Sequence, residues 1–247
     1  MPHSFSRSAC LALSLISGVA AASDIEFPAV TSGSQADFEA AMQDLTAAFS
    51  FKPLAPAEPL GLIGFHAGVM ASYTGVENED SWRSLTGSSF DDLGVIAIAA
   101  AKGLPFGIDV GAFVADVPDS NVSLYGAELR YALAEGGVAT PAIGIRLSYT
   151  KLEGVDELDF DTKAVDLSIS KGLTFITPYV GVGRVFSTAT PNDIFSRSDL
   201  RDLKEADINE NKFYGGVRFA LLLLNVTAEI DQTGDNSSYN LRLSFAF

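Results

Sequence analysis

From Gly61 to Phe247 the chain repeats one pattern, in which short segments alternate large apolar residues with small or polar ones and are separated by turns. A period of two sends successive side chains to opposite faces, so each segment reads as a β-strand with one apolar face. The last segment is the cleanest. Tyr239, Leu241, Leu243, Phe245 and Phe247 share one face, and Asn240, Arg242, Ser244 and Ala246 share the other. Ten such segments follow one another. Gly94–Ala101 is apolar on both faces, and in Thr177–Phe186 Arg184 falls in phase with Val180 and Val182. Long connections are expected at 74–92, 152–160 and 187–211, shorter ones at 116–121 and 231–237. Tight turns are expected near 102–107, 171–176 and 222–225, with a longer turn at 132–141 in the same set, and long loops at one end with short turns at the other is the pattern of membrane barrels.

The solvent around such strands decides between two folds. Beyond the N-terminal region no run of about 18 apolar residues exists, so the sequence offers no transmembrane helix. A barrel needs only about ten residues per crossing. With both termini at the short-turn end, Tyr73, Tyr125, Tyr149, Phe186, Phe213 and Tyr239 fall near the outer strand ends, and Phe65, Tyr131, Phe219 and Phe247 near the inner ones. Two aromatic girdles around a band of Val, Ile, Leu and Ala suit the two interfaces of a membrane. The expected fold is all-β: a closed antiparallel transmembrane β-barrel of about ten strands with a short N-terminal helix. Val110, Leu147, Leu167 and Leu243 are expected to face lipid. The soluble alternative is a secreted lipocalin-like barrel or sandwich, which turns its apolar face inward and needs no girdles.

Ahead of the barrel the sequence divides twice. Residues 1–22 have the layout of a secretory signal, with Arg7 in a short basic region, an apolar stretch from Ala9 to Val19, and Ala20, Ala21 and Ala22 suited to cleavage. Cys10, the single cysteine, lies inside that segment, so no disulfide or thiolate site is expected after cleavage. Residues 23–60 hold a helix and a linker, and 61–247 the barrel. Ser34 is a suitable N-cap for a helix running to Phe49, with Phe38, Met42, Leu45 and Phe49 on one face. Pro53, Pro56 and Pro59 mark the linker. A lumen lined by Arg, Glu and Ser is a poor partner for that apolar stripe, so the helix is expected beneath the barrel mouth or on the inner membrane interface.

The terminal strand, Tyr239 to Phe247, resembles the C-terminal signature of bacterial outer-membrane barrels that the barrel-assembly machinery recognises. Gly64-Phe65, Lys102 to Gly107 and Gly126 to Tyr131 also resemble an uncharacterised group of proteobacterial outer-membrane proteins, a likeness that brings no activity with it. It implies residence in the bacterial outer membrane after signal cleavage, with outer-membrane lipid, lipopolysaccharide and the assembly machinery as partners.

What remains is chemistry. With 31 acidic against 16 basic residues, nucleic acid is an unsuitable partner. On neighbouring strands Glu128, Arg146 and Asp166 alternate in sign, as do Arg218, Glu229 and Arg242, and each set can form an inward cross-strand ladder. Such ladders either rigidify and plug the barrel or line a narrow conduit for small solutes. His66, the one histidine after the signal, faces the lumen without a Gly-x-Ser-x-Gly or His-Glu-x-x-His motif, so it is read as a packed residue. The acidic stretches at 153–161 and 199–210 read as solvated loops. The expected function is non-enzymatic, structural or narrow-channel, with no cofactor and no metal. The alternatives are an outer-membrane enzyme of acyl-hydrolase type, or an adhesion barrel acting through its external loops.

Overall fold

The structure is a computed structural model that describes residues 33–118, 120–192 and 203–246. The expected signal at 1–22 and Phe247 lie outside them. Ten strands form one closed barrel: β1 (Phe65–Gly75), β2 (Asp92–Gly103), β3 (Ile108–Asp116), β4 (Ser123–Ala134), β5 (Ala142–Glu153), β6 (Leu158–Ser170), β7 (Ile176–Pro191), β8 (Ala206–Leu221), β9 (Leu224–Thr233) and β10 (Asn236–Ala246). Each pairs antiparallel with its neighbour in sequence, and β10 closes onto β1 with Tyr73 opposite Tyr239 and Ala67 opposite Phe245. Closure leaves no unpaired sheet edge, as a wall surrounded by lipid requires.

Along the middle and short-turn half of the wall the alternation points outward. Val110, Leu147, Leu167 and Leu243 are all exposed, as are Val69, Ile98, Val114 and Val182. Inside the same stretch lie Asp109, Glu128, Arg130, Arg146, Asp166 and Arg242, all buried. This is a soluble barrel turned inside out, and an exposed apolar belt of that extent is stable only against lipid. Among the described residues no helix is long and apolar enough to cross a membrane.

Toward the long-loop end both faces change character within single strands. On β6 the outward residues run Asp159, Asp161, Lys163 and then Val165, Leu167, Ile169, while the inward ones run Leu158, Phe160 and then Asp166, Ser168, Ser170. β8 does the same, with Ala206 and Ile208 inward beneath outward Asp207 and Asn209, then Lys212 and Tyr214 inward beside outward Phe213. Above the girdle the wall therefore continues as an ordinary water-facing sheet with an apolar interior. This corrects the expected loops: 152–160 contracts to 154–157, 231–237 contracts to the pair Gly234-Asp235, and of 187–211 the residues to Pro191 belong to β7 and those from Ala206 to β8. Polar outward residues suggested loop, but they belong to strands that have left the membrane. The length rule fails here too, since the long-loop end carries that two-residue turn.

The apolar upper interior has an occupant. Helix α1 (Gln35–Phe49) stands inside the barrel, which corrects its expected place beneath the mouth. Ser34 caps it as expected: its hydroxyl accepts from the Asp37 N–H and the Asp37 carboxylate accepts from the Ser34 N–H at 2.8 Å. These bonds to Ser34 hold the Asp37 carboxyl below its usual range. Phe38, Met42, Leu45 and Phe49 pack with Leu93, Val95, Phe113, Leu124, Leu152, Leu158, Phe160 and Ile208. Helix α2 (Glu79–Thr86), in the β1–β2 connection, lays Trp82 and Leu85 over the top of this core. An interior this apolar suits the helix stripe, whereas the charged lower lumen would not.

Candidate functional site

The site is the lumen. Large inward side chains of the lower half lie over glycines on neighbouring strands: Tyr214 over Gly181, Tyr179 over Gly216, Asp166 beside Gly183. A Cβ at any of these glycines would overlap the neighbour, so the small-residue face of each segment is where the next strand's large residue is stored.

The residues of the first expected ladder come together in part. Arg146 Nε lies 2.8 Å from Glu128, and Arg130, opposite Arg146 in register, is 3.8 Å from Glu128 and 3.0 Å from Asp109. Glu128 thus separates two facing guanidiniums. Asp166 is the register partner of Arg146 and faces Gly183, beyond which stands Lys212. Omitting a side chain at 183 leaves Asp166 between two cations.

The second trio is not a ladder. Arg218 and Arg242 are each register partners of Thr227, and Glu229 sits two residues further along β9. Arg218 pairs instead with Glu58 of the linker at 2.9 Å, while Glu229 accepts from Leu54 N–H at 2.9 Å and from the Tyr179 hydroxyl at 2.8 Å. The physical reason is that the linker runs down the lumen and brings its own polar groups to the wall.

That linker carries the functional residues that periodicity missed. Lys52 Nζ donates to Ser238 Oγ at 2.9 Å and lies 3.2 Å from Asp231, both groups being buried. Lys212 donates to the Phe51 carbonyl at 2.6 Å. The N–H after each proline finds a wall acceptor: Leu54 on Glu229, Ala57 on Ser170 at 3.1 Å, Leu60 on Asp109 at 3.0 Å. The three-residue spacing of Pro53, Pro56 and Pro59 was the available signal. A proline has no donor to satisfy, so such a segment can be buried with few hydrogen-bond partners.

Higher up, Asp44 of α1 is fully buried and accepts from Trp82 Nε1 at 2.9 Å, Asn236 Nδ2 at 2.7 Å, Asn78 Nδ2 at 3.0 Å and the N–H groups of Glu77 and Asn78 at 3.2 Å each. One carboxylate ties helix, β1–β2 connection and β10 together. The lumen cations Lys52, Arg130, Arg146, Lys212, Arg218 and Arg242 equal in number the carboxylates Glu58, Asp109, Glu128, Asp166, Glu229 and Asp231, although Arg242 Nε and both Asp166 oxygens have no hydrogen-bond partner among the described residues. Among the described residues one cavity between α1, the linker and β1 holds about 20 Å³, and another beside Pro56, Pro59 and Arg130 about 10 Å³. Each is of the order of one water.

His66 is buried on β1 with Arg130, Arg146, Arg218 and Arg242 within electrostatic reach. Among the described residues no group of three or more His, Cys, Asp or Glu is placed to hold a metal ion. In the terminal strand Tyr239, Leu243 and Phe245 are exposed on the outer wall and Leu241 shares their face.

No protein-family model matches the sequence, and no curated protein matches it. Among solved structures, the chain is similar to the N-terminal β-barrel domain of Pseudomonas aeruginosa OprF, at 14% identity over 76% of this chain and 99% of that one, TM-score 0.39. It is also similar to the outer membrane protein OprG from Pseudomonas aeruginosa, at 10% identity over 78% and 99%, TM-score 0.38. The KdgM porin aligns at 8% identity over 73% and 99%, TM-score 0.36.

Proposed function

We propose that this chain is a non-enzymatic barrel of the bacterial outer membrane with a structural role, closed to solutes by its own N-terminal helix and linker. The apolar outer belt supports the membrane, and the alanine-ended secretory signal together with the barrel wall supports the outer one. Its partners are then outer-membrane lipid and lipopolysaccharide, and the strand Tyr239–Phe247 is the signal read by the assembly machinery.

The single observation that carries the structural reading is the filling of the lumen. Several charges that would line a conduit are instead tied to the linker or to one another: Asp231 to Lys52, Glu229 to the Leu54 N–H, Arg218 to Glu58, Asp109 to the Leu60 N–H, and Arg130 and Arg146 to Glu128. Planar-bilayer recordings test it. The full chain is expected to give no discrete channels, and a variant lacking residues 23–60 to give ion-conducting steps. Steady conductance of the full chain that changes with Arg146→Ala or Arg242→Ala would refute the closed lumen and restore the conduit.

A further inference from the structure

The helix and linker lie in the lumen with a direction, and that direction has a topological consequence. With ten strands, β1 starts and β10 ends at the same, short-turn end of the barrel. The linker reaches that end from above. Its contacts descend the wall in chain order, from Lys52 with Asp231 and Ser238, through Leu54 with Glu229, to Ala57 with Ser170 at the last residue of β6 and Leu60 with Asp109 beside the β2–β3 turn. The start of α1 is at the opposite end. Gln35 exchanges two hydrogen bonds with the backbone of Lys204 in the β7–β8 connection, at 3.2 and 2.9 Å, and Gly33 is packed against Leu85 of α2.

Length agrees with a full crossing. The 15 residues of α1 span about 22 Å at ~1.5 Å each, and the linker adds up to ~3.3 Å per residue. Together they exceed the ~30 Å of a bilayer's hydrocarbon core.

We propose that the chain crosses the membrane once through the inside of its own barrel before β1 begins, and so presents the start of α1, from Gly33 to Ala36, at the cell surface. The barrel acts as a holder that carries the start of α1 outward, and its wall must close around α1 and the linker during assembly. The orientation of the two ends rests on the outer-membrane reading above; the threading does not.

Single cysteines in a Cys10→Ser background separate the two. Ala36→Cys sits on the exposed side of the helix start, Asp156→Cys in an outer connection, and Val138→Cys on a fully exposed short turn. In intact cells whose variants show heat-modifiable migration, a membrane-impermeant maleimide is expected to label Ala36→Cys and Asp156→Cys fully. Val138→Cys should label only after the outer membrane is permeabilised. Labelling of Asp156→Cys with protection of Ala36→Cys would overturn the threading alone. Labelling of Val138→Cys with protection of Asp156→Cys would overturn the orientation, and with it the surface display, and leave the threading in place.

Discussion

Removing the Asp44 carboxylate is the sharpest perturbation of the closed lumen. Asp44→Ala removes the charged acceptor of Trp82 Nε1 and Asn236 Nδ2 in a buried place, where Asn236 Nδ2 keeps the Gly75 carbonyl at 2.9 Å, while the N–H groups of Glu77 and Asn78 are nearer water. Each lost hydrogen bond to a charged group costs about 1.5–3 kcal/mol. Loss of a buried charge returns part of that through relieved desolvation, so about 2–4 kcal/mol of net destabilisation is expected. Asp44→Asn keeps one acceptor oxygen and should cost about half as much. Trp82 is the chain's single tryptophan and is buried, so its emission reports directly on whether α2 stays docked. Urea unfolding in detergent micelles should show a lower midpoint for Asp44→Ala, and its native emission should shift to the red. An unchanged midpoint together with unchanged emission would show that this carboxylate does not fasten the helix to the loops, and the reasoning for a fixed plug would fail.

Two further perturbations follow from the same geometry. Lys52→Met strips Asp231 of its closest cation and should cost about 3 kcal/mol, part of which Lys52→Met/Asp231→Leu recovers; additivity of the two single changes in a double-mutant cycle would deny the pair. Gly181→Ala places a methyl into the Tyr214 ring and should cost about 1–3 kcal/mol, whereas Gly94→Ala meets nothing within 4 Å and should be neutral, so equal unfolding midpoints for the two would refute the packing of large side chains over glycine.

Period-two alternation was enough to read the ten strands, the outward Val110, Leu147, Leu167 and Leu243, and the closure of the last strand on the first. These depend on local geometry, in which neighbouring residues must face opposite sides of a strand. Lys102-Gly103-Leu104 and Lys171-Gly172-Leu173 share one pattern in the sequence: both lie at short turns, and both lysines donate to backbone carbonyls of an adjoining connection. Alternation says which residues share a face, but not which medium that face meets at each height. On β6 one face runs from Asp159 to Ile169, and only the closed barrel shows that it passes from water into lipid while the opposite face passes from an apolar core to a charged lumen. Hence the stripe of Phe38, Met42, Leu45 and Phe49 was visible in the sequence and its partner was not. The same holds for Glu229, whose charge and inward face could be read from β9, but whose ligands, Leu54 and Tyr179, are distant in sequence and meet only when the linker enters the barrel. Local patterning determined the wall of this protein; contacts between segments far apart in the chain decided what fills it.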